Sequence, residues 1–283
     1  MIETFLLISV AVYLIISSIN DIRFRFVHDY TTYSFGVLFI LLRILLIFET
    51  NDAANFLNLL FFAVPVLIVS LVLYKIGWWG GGDAKMITAL AIAIPFLSTD
   101  AIVPFSTTGL KIPFFFNFIT NTLIGGLLFG LIYSFILAVK KRKEINKVLT
   151  PVDLVIVILL FGTSIVLFFF DKLYKIFSLI LFFIPISYLV RKVENIIQTV
   201  DKSVKSLEPG DWIFNDIKVG KITVKKTPTG LSKDDIKILQ KSKLKTIKIR
   251  DGIPFVPSFL IGLILAVFYG NVLINFLEAL LFA

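Results

Sequence analysis

Long apolar runs recur along this chain, and nothing else in the sequence restricts its architecture so severely. A helix of about 20 apolar residues crosses a hydrocarbon layer of about 30 Å. Inside that layer the backbone must satisfy its own polar groups, which leaves helices as the natural solution for runs of this length. The runs lie near 2–19, 32–48, 56–76, 84–98, 115–139, 153–170, 173–190 and 256–280. They predict an all-α polytopic membrane protein with about eight transmembrane helices (about six to eight, counting the irregular runs either way). The first run lacks the basic start and small-residue cleavage site of a secretory signal, so it reads as a retained helix. The run 84–98 is short, bounded by Asp83 and Asp100, and carries Pro95. Only Asp171 and Lys172 separate 153–170 from 173–190, which reads as a tight helical hairpin.

Composition narrows the chemistry. Lys and Arg total 28 against 19 Asp and Glu, a net charge of +9. The basic residues lie beside apolar runs, where the positive-inside effect and anionic lipid account for them, so no nucleic-acid partner is implied. Cysteine is absent and His28 is the only histidine. Disulfides, thiolate chemistry and cysteine-bound zinc are thereby excluded, and neither a metal site nor another cofactor is expected. Carboxylates are what remain for proton transfer.

Loop charges orient the array. Arg23 and Arg25, Lys75 and Lys85, Lys140 to Lys143, and Arg191 with Lys192 fall on one side of an eight-span arrangement. Glu49, Asp52, Asp100, Lys111 and the Asp171–Lys172 turn fall on the other, nearly balanced. The basic side is expected to be cytoplasmic, with both termini outside, in a multi-pass plasma membrane protein. Removing the hairpin as a unit leaves these sides unchanged.

Three parts are expected: a transmembrane region 1–190 with its chemical motifs in 1–140, a polar insert 191–253, and a C-terminal helix 254–283. The insert reads as a small cytoplasmic α+β unit. Leu207 to Trp212 is a turn entering a strand, Ile213 to Val224 alternates until Gly220, and Lys245 to Ile249 alternates again. Ser232 and Asp235 have capping-box spacing ahead of a short helix. A unit of this size lacks a deep core of its own and is expected to lean on the membrane helices. Its lysines, among them Lys218, Lys221, Lys225, Lys226, Lys241, Lys243 and Lys245, read as a solvated or lipid-facing surface, with recruitment of export machinery as the other reading.

Two acids occupy unusual places. Asp21 ends the first apolar run, and Asp83 follows Gly80-Gly81-Gly82 at the mouth of the fourth. Each has a plain alternative: Asp21 can pair with Arg23 or cap the next element, and Asp83 can cap the fourth span, as nearby Asp29 can cap the second. A phosphate-binding reading of the glycines fails, because no lysine follows them directly and an acid stands where phosphate would lie. Topology nevertheless puts Asp21 and Asp83 on one membrane face. Two carboxylates that share a proton and hold a water between them can hydrolyse an amide, one as base and one as acid, titrating as a coupled pair. Bare glycine backbone beside one of them would let an extended peptide lie close.

The segments Asp21-Ile22-Arg23, Val27-His28-Asp29 and Gly80-Gly81-Gly82-Asp83-Ala84-Lys85 resemble the type IV prepilin peptidase and archaeal preflagellin peptidase family of intramembrane GxGD aspartyl proteases. The resemblance covers about residues 1–140. It implies Asp21 and Asp83 as the catalytic pair, with Gly80, Gly81, Gly82, Arg23, Asp29 and Lys85 in supporting positions. It also implies a membrane-anchored pilin-like or archaellin precursor with a short basic leader as substrate. The methyltransferase region and zinc cysteines of the bacterial enzymes are not found, which resembles the archaeal, cleavage-only branch. The Pro-Ala-Leu tripeptide of the presenilin branch is absent too. Pro254-Phe255-Val256-Pro257 reads as the entry to the last helix, or else as a substrate-side element. An ion-coupled transporter using the two membrane-edge aspartates is the alternative function. It would favour acids near the midplane and an internal repeat, and no repeat is evident.

Overall fold

The computed structural model describes residues 1–51, 54–77, 79–94, 113–220 and 222–282. Asp52, Pro95, Asp100, Lys111 and Lys221, with the end of the 84–98 run, lie outside the described residues. The apolar runs form helices α1 (Ile2–Phe24), α2 (Asp29–Thr50), α3 (Ala54–Lys75), α4 (Gly81–Ala93), α5 (Phe114–Lys140), α7 (Pro151–Phe168), α8 (Lys172–Gln198), α10 (Val256–Tyr269) and α11 (Val272–Phe282), with a one-turn α6 (Arg142–Ile145) after α5. Five of these are long and apolar enough to span a membrane, and α10 with α11, bent by 55°, adds a sixth if counted as one span. The protein is a multi-pass, all-α membrane protein with a small mixed insert.

The helix that carries Asp83 lies at the centre. Met86, Leu90, Ala91 and Ala93 of α4 are fully buried, packed with Leu6, Val10 and Tyr13 of α1, Phe39 of α2, Phe114 and Phe118 of α5, and Phe259 of α10. Alanines on α4 let its neighbours approach closely, as small residues do between membrane helices. The far end of α4 would leave carbonyls without partners in the apolar interior. Arg43 of α2 meets them, donating from Nε to Ile92 O (3.1 Å) and from Nη2 to Ala93 O (2.6 Å). That explains a buried arginine in the middle of an apolar run.

Helices α5 and α10 are in contact at backbone distance. A Cβ on Gly262 would stand 2.7 Å from the Thr122 Cα. At the end of α10 the chain breaks at Gly270 (φ 66°) and Asn271. Buried Asn121 donates to Gly270 O (2.6 Å) and accepts from Val272 N–H (3.1 Å), so the break is satisfied internally. The last apolar run, read as one stretch over 256–280, is therefore two helices, because Asn121 satisfies the backbone on both sides of the bend.

Helices α7 and α8 form the expected hairpin. Ser164 and Ser178 hydroxyls donate to each other's carbonyls at 2.9 and 2.8 Å. At the opposite end Asp153 caps α7 and also bonds Tyr188 and Lys192 of α8. Helix α8 then runs directly into strand β1 (Thr199–Ser203), its last carbonyls held by the Lys141 ammonium.

The insert is built on an antiparallel sheet in the order β1, β5 (Thr246–Arg250), β2 (Trp212–Ile213), with a separate ribbon of β3 (Ile217–Val219) and β4 (Ile222–Val224). Gly220, at φ 61°, ends the first strand of that ribbon where the alternation was expected to break. Helix α9 (Lys233–Gln240) starts at Ser232, whose hydroxyl accepts from Asp235 N–H while Asp235 accepts from Ser232 N–H. Ile213, Val224, Leu231, Leu239, Ile247 and Ile249 form a small core of its own.

Candidate active site

Helix α1 continues past its apolar run and carries Asp21 in its last turn, ending at Arg25, whose N–H donates to Asp21 O. Asp21 is 9% exposed. Its Oδ2 accepts a 2.9 Å hydrogen bond from Val256 N–H, the first residue of α10. Helix N-termini present free N–H groups with partial positive charge, so the start of α10 both orients this carboxylate and favours negative charge there. The segment 254–257 is thus a helix entry, and the entry touches Asp21.

Asp83 is the third residue of α4. Its Oδ2 accepts from Gly80 N–H at 3.2 Å, so the helix-cap role exists and does not exclude another. Asp83 lies within electrostatic reach of Asp21. Both carboxylates line two adjoining lobes of a cleft, about 750 and 720 Å³.

The lobes share Asp21, Arg25, Trp79, Gly80, Asp83 and the insert turn at Glu208–Trp212. One extends past Arg23, Phe24 and Lys202 to the 250–255 segment. The other extends past Val27, Asp29, Gly81, Gly82 and Lys85 to the turn at 228–232. The insert therefore roofs the pair. Its two roof turns are joined, with Gly210 N–H donating to Leu231 O and Leu231 N–H to Asp211 O, both at 2.9 Å. A Cβ on Gly230 would stand 2.8 Å from the Gly210 Cα, so only glycine permits this stacking.

The supporting residues separate into those with contacts and those without. Lys85 bonds Asp29 at 2.6 Å, tying α4 to α2, so Asp29 forms an interhelical pair and His28 is the cap residue of α2. Gly80 is close to Asp83, where a Cβ would stand 3.1 Å from Oδ2, whereas a Cβ on Gly82 would meet nothing within 4 Å. Arg23 is exposed on the cleft wall. Arg25 makes the contacts instead: it donates to Tyr133 of α5 and lies 3.6 Å from Asp251. Gly77 also matters, at φ 76° with Pro228 O only 2.9 Å from where a Cβ would be, and it marks where the α3–α4 loop meets the roof. Sequence order gave no sign of Asp251 or Gly77 and marked Val256 only as part of the 254–257 segment; the partners of Asp251 and Val256 lie far away in the chain. Among the described residues no cluster of three or more His, Asp or Glu forms a potential metal site.

No match was found among curated proteins or among solved structures. Residues 8–139 match the model of the type IV leader peptidase family, an interval that contains Asp21, Asp29, the glycine run, Asp83 and Lys85. A cleft at the ends of apolar helices, lined by Asp21, Asp83 and glycine backbone, fits peptide-bond hydrolysis, and over residues 8–139 the chain is similar to the type IV leader peptidase family.

Proposed function

We propose that this protein is an aspartic endopeptidase that removes the short basic leader from prepilin-like or preflagellin precursors, with Asp21 and Asp83 as its catalytic pair. The observation that carries the reading is that Asp21 and Asp83, 62 positions apart in sequence, line one cleft between the membrane helices and the insert. The continuation of that cleft on both sides of the pair supports an endopeptidase, whose substrate chain must pass through the site in both directions.

In this reading a water sits between the carboxylates. One takes its proton as the oxygen attacks the scissile carbonyl carbon; the other protonates the departing nitrogen as the carbon–nitrogen bond breaks. Glycines 80 to 82, without side chains at the start of α4, let an extended substrate approach closely. The pair Lys85–Asp29 fixes α4 against α2 beside the site. The basic residues Lys140–Lys143 and Arg191–Lys192 support a cytoplasmic cleft and outward termini. A leader-bearing precursor would then meet the site as its apolar helix lies in the bilayer.

The test is cleavage of a leader-bearing precursor by detergent-solubilised protein, comparing wild type with Asp21→Asn and Asp83→Asn. Loss of cleavage in both folded variants is expected. Retained activity in either would overturn the two-aspartate assignment.

A further inference from the structure

Arg25 closes α1 in a left-handed backbone conformation, φ 58°. A residue with a Cβ avoids that region unless its surroundings hold it there, and such strain gathers where function needs a fixed geometry. Here the side chain is what is held. The guanidinium donates to Tyr133, its Nε faces Asp251 Oδ2 at 3.6 Å, and its Nη1 is enclosed without a partner among the described residues.

Asp251 stands between the end of β5 and the start of α10. Arg25 lies four residues after Asp21, and Asp251 five residues before Val256. The pair Arg25–Asp251 and the bond from Val256 N–H to Asp21 are thus two fastenings between the same two segments. The first lies at the cleft wall and the second at the reacting group.

We infer that Arg25 and Asp251 are positioning residues, whose ion pair sets where the α10 N-terminus meets Asp21 and so holds the Asp21 carboxylate in register with Asp83. The inference rests on the aspartic endopeptidase reading. The electrostatics around Asp251 separate positioning from a simple structural tie. Burial pushes its carboxyl above the ordinary range, Arg25, Lys202 and Lys141 pull it down, and Asp211 pushes it up, for a net rise. Keeping Asp251 ionised therefore costs folding free energy that Arg25 only partly offsets, so a neutral residue at 251 should not destabilise the fold.

The test uses the full chain in detergent, with Arg25→Asn, Asp251→Asn and the double exchange Arg25→Asp with Asp251→Arg. Asn and Asp tolerate the left-handed backbone, so these changes remove or reverse charge without adding strain. Each single variant should lose kcat on the order of 10²-fold, as small misplacements of reacting groups do, with KM within about twofold. The melting temperature of Asp251→Asn should be unchanged or raised, and the exchange should recover at least about a tenth of the wild-type kcat. Hydrogen exchange over 251–258 reads the fastening apart from cleavage, and should accelerate in both single variants and slow again in the double exchange. Unchanged exchange in the single variants overturns the proposal, as does a fall in kcat matched by a falling melting temperature with no recovery in the double exchange. Accelerated exchange in a protein whose wild type cleaves no precursor would instead overturn the peptidase reading.

Discussion

The Val256 amide donates to Asp21 Oδ2 at 2.9 Å, joining residues separated by 235 positions. One member of the carboxylate pair is therefore held by a helix that follows the insert, outside the 8–139 interval shared with the family. Changes in α10 should reach the site without touching either acid.

Asp21→Asn and Asp83→Asn should each lower kcat by more than about 10³-fold, because groups that act as one unit fail together. The double variant should be little worse than either single one. Precursor cleavage under single-turnover conditions measures this, with gel filtration as the folding control.

Gly262→Val should separate α5 from α10, since the Cβ position is already occupied by the Thr122 backbone and side chain. Overpacking of this kind costs about 1–3 kcal/mol. The same variant should slow cleavage, because α10 delivers Val256 to Asp21. Thermal unfolding and cleavage rates are read side by side.

Arg43→Met keeps an unbranched apolar stem and removes the donors to Ile92 O and Ala93 O. Two carbonyls in the apolar interior lose their partner, at about 1–3 kcal/mol each. Unfolding in detergent should show the loss, while KM for precursor stays near wild type because both carbonyls lie at the far end of α4 from Asp83.

Gly77→Ala should strain the loop between α3 and α4, where φ is 76° and the Pro228 carbonyl blocks the Cβ. A left-handed non-glycine residue costs about 1–3 kcal/mol. Relief comes from lifting the turn at Pro228, so KM should rise more than kcat falls.

The raised carboxyl of Asp251 fixes the sign of a pH effect. In the window above the ordinary aspartate value of about 3.9 the folded state binds more protons than the unfolded one, so its contribution to stability falls as pH rises through that window. Asp251→Asn should lack this component. Melting temperatures of the two proteins between about pH 4 and 7 should converge toward the acid end, where Asp251 is protonated and neutral like the amide.

Much of the architecture was legible because apolar runs of spanning length have few alternatives. The Ser232–Asp235 cap and the Gly220 turn were legible for a similar reason: each is a local pattern with one mechanism. Strand β1 was not, because Thr199–Ser203 has no alternation and follows α8 without a breaker. For the candidate site, the sequence offered Asp21, Asp83 and the glycines, which the fold brings to one cleft. Its fastenings were not legible, since Arg25 to Asp251 and Lys85 to Asp29 are choices among many charges that only packing decides. Sequence pointed to Arg23, but the residue that turns inward is Arg25, placed there by the left-handed end of α1.

The break at Gly270 bears on how the protein tolerates different membranes. A bilayer of another thickness demands another tilt from each spanning helix. With α10 and α11 already bent by 55° and α10 packed against α5 at Gly262, that adjustment falls on α11. The bond to Asp21, at the opposite end of α10, is insulated from hydrophobic mismatch.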